Sequence, residues 1–268
     1  MIKLLGGAGC LIVSPLRYFL DMLFRTYLVL RSFLSETRRG KSFPLRTILL
    51  QVYFTGVQAL PIIILAGLLL GTAVIVELAT ILPIFGAGRF VERLAIIVLV
   101  RELIPLITAL IIIGRSGTAM AAELANMKLN REIELLDSLG VNIDYFMVLP
   151  RLVGGIIATV SLVVIFNAAA LYGGFLLAQP FAASSKSLIF AQFISVIYHE
   201  DVLMSLLKAL IFGWVIAIVN CIQGLSVRQS FTEVPQVTTI GVVNSIILCF
   251  ISSIFISLYV FPSFNINI

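Results

Sequence analysis

Arg101 and Glu102 stand side by side in a long aliphatic stretch, and Arg115 and Glu123 follow in the same stretch. Ionisable side chains in such company are costly, and in lipid they mark charge pairs, transport routes or proton relays. The surrounding residues identify the solvent. Uncharged runs extend from Ile48 to Val76, from Leu152 to Ser185 and from Val234 to Ile268. Each exceeds the roughly 20 helical residues that cross a hydrocarbon layer about 30 Å thick. The elements that position the four charges are therefore expected to be membrane-spanning helices.

Composition agrees. Hydrophobic residues make up 60% of 268, and mean hydropathy is +1.15, well above a soluble globular chain. Four or five spans leave no room for a large soluble domain, so residues 1–268 are read as one membrane domain with short loops. The net charge of +5 comes from Lys and Arg scattered at segment ends, which excludes a nucleic-acid patch and reads as topology signals. His199 is the single histidine, and Cys10, Cys221 and Cys249 are three cysteines without metal-ligand spacing. Neither a metal centre nor a nucleophile–base pair is expected, so the chain does not read as an enzyme. It has no glycine-rich Lys-Ser/Thr loop and hence no nucleotide site of its own. Lys3 and the short run after it imitate a leader, but Arg17, Asp21 and Arg25 follow without a cleavage context, so none is expected.

Along the chain, residues 11–35 place Ser14, Arg17, Asp21, Arg25 and Ser32 near one helical face and Leu16, Phe19, Leu20, Leu23, Tyr27, Leu30 and Leu34 on the other. That pattern predicts an amphipathic helix lying in the membrane interface. Arg38, Arg39, Lys41 and Arg46 follow and put the N-terminal side in the cytoplasm. The first apolar segment, 48–80, is interrupted by Pro61 and carries Gly67 and Gly71, so it reads either as a broken or re-entrant span or as a kinked ordinary one. The second span, 90–125, contains Pro105 and the small-residue run from Gly114 to Ala122, and it is long enough for one end to project into water. In 126–150, Leu129, Ile133 and Leu136 share one side of a short helix, with Gly140 as its stop; Lys128, Arg131 and Arg151 make this loop cytoplasmic. Further spans are expected at 150–177, 203–224 and 238–261. Between the first two of these lies the polar excursion 178–200 with Ser184, Ser185, Lys186, His199 and Glu200, and Lys208 is expected to snorkel. The C-terminus then lies outside.

Residues 101–123 read RELIPLITALIIIGRSGTAMAAE, followed by LANMKLNREIELLDSLGV and, at 148–151, VLPR. This string resembles the MlaE/YrbE permease family, the membrane subunits of lipid-transporting ABC systems associated with Mce-type proteins. Arg101, Glu102 and Pro105 fit the family's opening motif; Gly114, Arg115, Gly117, Ala122, Glu123, Met127, Lys128 and Arg151 fit the remainder. The likeness runs from about residue 12 to the end. Departures are Ile104 in place of glycine, Ile133 in place of glutamine, Glu77 near a usual glutamine, Ile240 in place of arginine and Ser253 near a common aspartate.

The resemblance implies an all-α membrane protein of the bacterial inner membrane: an interfacial helix at 11–35, then a five-span core over 48–261 with a coupling helix at 129–139. Its N-terminus would be cytoplasmic and its C-terminus periplasmic. It implies a second copy of the chain, two cytoplasmic ATPase subunits that carry ATP and Mg, a periplasmic ring of Mce-domain proteins, room for a small cytoplasmic accessory subunit, and phospholipid as substrate, with no cofactor in this chain. Gly67, Leu70, Gly71, Val74 and Glu77, with Leu99, Glu102 and Leu103, would line the lipid route. Leu129, Ile133 and Leu136, ringed by Glu132, Glu134 and Asp137, would engage the ATPase. Arg101, Arg115 and Glu123 would form a structural charge network, while Glu102 is read either as part of the lipid path or as a packing salt bridge. The same implication makes the chain a homodimer, with the small and bulky residues around Gly67 and Gly71 and in the last span as candidate contact surfaces. An ion-coupled carrier or a non-transporting scaffold is the alternative; copurification of an ATPase separates them.

Overall fold

Prolines follow most of the places where the long helices of this chain lose regularity. The computed structural model describes residues 20–36, 44–85, 97–178, 199–228 and 230–260. Cys10, Ser14 and Arg17, the cluster Arg38, Arg39 and Lys41, and Ser184, Ser185 and Lys186 lie outside the described residues. The helices are α1 (20–36), α2 (Leu45–Thr55), α3 (Leu60–Phe85), α4 (Ile104–Ile112), α5 (Thr118–Leu129), α6 (Glu132–Ser138), α7 (Leu149–Ala178), α8 (His199–Gly224) and α9 (Val234–Val260). Wide π-helical turns occupy Ile97–Leu103, Ile113–Gly117 and Asp144–Val148, so that 97–129 runs as one long irregular helix. Two of these wide turns end two residues before Pro105 and Pro150, and a 3-10 turn at Val57–Ala59 ends two residues before Pro61. A proline lacks an N–H and its ring crowds the carbonyl four residues back. The irregular turn upstream absorbs that conflict without ending the span. The first segment thus breaks at Gly56–Ala59, a few residues before Pro61 itself.

Among the described residues, five stretches are long and apolar enough to cross a membrane: Leu45–Val74, Ile97–Leu129, Asp144–Gly173, His199–Gly224 and Phe231–Tyr259. Their starts lie several residues from the sequence expectation, but their number and order agree with it. The chain is an all-α protein with the helices of a multi-pass membrane protein.

Close backbone contacts hold the bundle. A Cβ on Gly71 would collide with the Ala170 backbone, and one on Gly67 would lie 2.8 Å from the Ala169 Cβ, so both glycines face α7 of the same chain. Gly213 repeats the device between α8 and α7, where a Cβ would lie 2.9 Å from Ile156 Cα. Phe166, Phe212, Leu162, Ile216 and Val219 fill the layer between these helices. In α1 the usual polarity is turned round. Leu20, Leu23, Phe24, Tyr27, Leu30 and Leu34 point outward, while Arg25, Thr26 and Ser32 reach into the bundle beside buried Met22 and Val29, and Asp21, Arg31 and Ser35 stay exposed. Arg25 Nη1 donates to Asp144 Oδ1 at 3.4 Å, Asn142 Nδ2 to Ser32 Oγ at 3.2 Å and Trp214 Nε1 to Thr26 Oγ1 at 3.2 Å.

Replacing Gly71 by Leu should destabilise the protein by about 2 kcal/mol or more through overpacking against backbone. Gly114→Ala, which meets nothing within 4 Å, should change stability by under about 0.5 kcal/mol. Thermal unfolding followed by the fluorescence of the single tryptophan, Trp214, checks the contrast.

Candidate functional site

The helix 97–129 is enclosed on most of its circumference by α7, α8, α9, α2 and α3, and one stripe stays uncovered. Exposure recurs at Val98, Leu103, Leu110, Gly114, Ala119, Glu123 and Asn126, at helical spacing. The first three are large and apolar, and the rest are small or polar.

Charged groups sit at both ends of the apolar part. At the first, Arg101 Nε donates to Asp201 Oδ1 at 2.5 Å, and both side chains are buried. Asp201 lies in the first turn of α8, where the helix dipole favours an anion. Beside this pair, Glu102 Oε1 accepts from Lys208 Nζ at 2.6 Å and from Ser257 Oγ at 2.6 Å, while Oε2 accepts from Ser253 Oγ at 3.1 Å. Lys208 also donates to Ser257 Oγ at 2.7 Å. Lys208 is fully enclosed, whereas 35% of the Glu102 side chain is accessible, so the carboxylate is the polar face presented to the stripe. Lys208 therefore does not snorkel. It lies nine residues inside α8, and Glu102 supplies the counter-charge that makes burial tolerable.

Thirteen residues on, about 20 Å along the helix axis, Arg115 occupies the second wide turn. Its Nη1 donates to the Phe54 carbonyl at 2.9 Å and its Nη2 to Gln58 Oε1 at 2.7 Å. The break at Gly56 exposes that carbonyl, because the end of α2 has no further helical donor to offer it. Arg115 thus caps a helix carbonyl and is not joined to Arg101 or Glu123, with which the sequence grouped it. Glu123 pairs instead with Arg151 Nη2 at 2.8 Å, and Arg151 Nη1 donates to the Met147 carbonyl at 2.9 Å.

The other expected lining residues are distributed unevenly. Leu103 is on the uncovered stripe, Leu99 is buried, Leu70 and Val74 are half-buried against the core, Glu77 is exposed, and Gly67 and Gly71 are occupied by α7. Beyond α5, the short helix α6 begins after Arg131, held at φ 60°, and ends in a Schellman motif: Val141 N–H donates to Leu136 O and Gly140 N–H to Asp137 O, with Gly140 at φ 73°. Ile133 is buried, Leu136 is half-buried against the chain's own core, and Leu129 is half-buried. The orderly spacing of these three thus reports an inward face. The outward apolar side chains are Leu135 and Leu139, 61% and 69% exposed, among exposed Glu132, Glu134 and Asp137. Lys128 Nζ caps the end of α8 at the Leu225 carbonyl, 2.5 Å away. A cavity of about 590 Å³ opens beside α6, with Arg25, Lys128, Asp137 and Asp144 in its wall.

Sequence reasoning missed Asp201, Lys208, Ser253, Ser257 and Gln58 as site members. Lys208 carried a signal, an ammonium in an apolar run, and Ser253 carried one as the residue near a common aspartate of the family; Ser257 carried none, serine being common in spans. Glu102→Ala leaves a buried ammonium unpaired and should cost about 3 kcal/mol of stability, while Glu102→Gln with Lys208→Met should recover most of it. Thermal unfolding of the purified variants measures both.

A family model described as Permease MlaE matches residues 48–259. A probable ABC transporter permease protein of Rickettsia typhi is 31% identical over 216 residues, 80% of this chain and 82% of that protein. The intermembrane phospholipid transport system permease protein MlaE of Haemophilus influenzae is 28% identical over 220 residues, 82% and 84% of the two chains. The chloroplastic protein trigalactosyldiacylglycerol 1 of Arabidopsis thaliana is 25% identical over 216 residues, 81% of this chain and 62% of that protein.

Proposed function

The chain belongs to the MlaE permease family, and from that premise we propose that it is the membrane subunit of an ATP-driven transporter moving phospholipid between the bacterial inner membrane and a periplasmic carrier. The observation that carries the reading is the uncovered stripe of the second span. An apolar track of Leu103 and Leu110 leads away from a polar group, Glu102, backed by Lys208, Ser253 and Ser257. Such a track accepts acyl chains, and such a group accepts a head group. The permease performs no covalent chemistry. It offers a path whose walls suit an amphiphile, and the work comes from ATP hydrolysed in separate cytoplasmic subunits. The resemblance implies a second copy of the chain, and in this reading that copy covers the stripe and closes the path.

In this reading α1 lies on the cytoplasmic membrane surface, its row from Leu20 to Leu34 in the acyl boundary. Contact with the ATPase is made by α6. Because Ile133 and Leu136 serve the chain's own packing, the anchors are Leu135 and Leu139, ringed by Glu132, Glu134 and Asp137.

Reconstitution with the copurifying ATPase tests the function: ATP-dependent transfer of labelled phospholipid from proteoliposomes to an acceptor carrier is expected. An intact complex that hydrolyses ATP and leaves phospholipid in place overturns it. Leu135→Asp with Leu139→Asp should release the ATPase during purification while the permease stays folded. Ile133→Asp should instead lower permease stability. An ATPase that remains bound in the Leu135/Leu139 double variant refutes the docking face.

A further inference from the structure

Five cations stand on or beside the second span: Arg101 is neutralised by Asp201, Lys208 by Glu102 and Arg151 by Glu123, while Lys128, at the far end of the helix, spends its charge on the Leu225 carbonyl. Arg115 differs. Its partners are two neutral acceptors, the Phe54 carbonyl and the Gln58 amide, and among the described residues no carboxylate lies within ion-pair distance. The carbonyl end of α2 offsets roughly half a charge. The two bonds fix the guanidinium and leave three of its five N–H donors unassigned. Immediately beside it the helix surface is open, since a Cβ on Gly114 would meet nothing within 4 Å.

Position along the membrane normal adds the second argument. The 33-residue helix is about 50 Å long, about 20 Å more than the hydrocarbon core. Fourteen residues, again about 20 Å, separate Arg115 from its end at Leu129. The uncovered stripe changes character at this level, from Val98, Leu103 and Leu110 to Gly114, Ala119 and Glu123. Arg115 thus sits where the apolar track meets the polar boundary, on the side of α6. The anion concentrated at such a boundary is the phosphodiester, and a forked guanidinium matches two of its oxygens.

We propose that Arg115 holds the phosphate of a phospholipid drawn from the cytoplasmic leaflet, with its acyl chains along Leu110 and Leu103. This rests on the phospholipid reading above and adds a second head-group position, about 20 Å from Glu102. The fixed geometry of Arg115 has a purpose in this view: Phe54 and Gln58 aim a charge that they do not cancel.

The test uses the full transporter in nanodiscs of phosphatidylethanolamine and labelled phosphatidylglycerol, with a benzophenone side chain at Ala119, one turn from Arg115. Labelled lipid should be captured there under light. Arg115→Gln should lower capture about tenfold, the expected loss of a charged hydrogen-bonded contact, and Arg115→Lys should retain part of it. Gln58→Glu is the decisive variant. It gives Arg115 an internal carboxylate and strengthens its hold on α2, so a purely structural cap predicts unchanged capture and equal or higher thermal stability. Phosphate binding predicts capture reduced as in Arg115→Gln with stability maintained. Millimolar inorganic phosphate should not compete; full competition would assign the site to free phosphate and overturn the lipid source. A benzophenone at Leu103 separates the two readings. Capture at Leu103, with Ala119 capture indifferent to Arg115→Gln and Gln58→Glu, overturns this inference alone, and capture at neither position overturns both.

Discussion

A charge taken into an apolar solvent must bring its partner, and the arrangement of this bundle follows from that requirement. Arg101 and Glu102 are adjacent in sequence and diverge on the helix, so one reaches Asp201 at the start of α8 while the other reaches Lys208 two turns further along the same helix. Ser253 and Ser257 bring α9 to the same carboxylate. Three spans are thereby fixed in rotation and in height at one level. Buried ion pairs contribute little net stability, but an unpaired member is expensive, which makes alternative registers of these helices unfavourable. The pairs specify the packing more than they strengthen it.

The same economy explains the irregular turns. Every span that carries an early proline precedes it with a non-α turn, and one of those turns exposes the Phe54 carbonyl that Arg115 then satisfies. The carbonyl left at the end of α2 is thus met by a residue on another span. Lys128 performs the equivalent service for the end of α8. In both cases a cation meets an orphaned carbonyl at a helix end.

Much of this was legible in the sequence, and the reasons are specific. Three of the five spans could be read from uncharged runs of more than 20 residues, which have few other uses, and the other two from apolar stretches of spanning length that hold few charges. Gly140 was readable as a helix stop because a positive φ is a local property of the chain. The motif around Arg101–Glu123 identified both the family and the helix that carries the candidate site. Pairing was not readable. Asp201 lies a hundred residues from Arg101, and no local pattern links them. The inward face of α6 was mistaken for an outward one because periodicity shows that a stripe exists without showing what covers it. Lys208 was assigned to the membrane edge because its partner is contributed from another span.

The glycine contacts have a mechanical meaning. Gly67 and Gly71 bring α3 against the backbone of α7, and Gly213 does the same for α8 on α7. Side chains can change rotamer to let helices slide, but backbone pressed on backbone has no such freedom. The three helices therefore behave as a stiff plate, with shear between its members suppressed. Compliance is left to the segment that lies against the plate and contains two wide turns of its own, the helix from Ile97 to Leu129. Any change in the width of the uncovered track is then a flexing of that helix against a rigid wall.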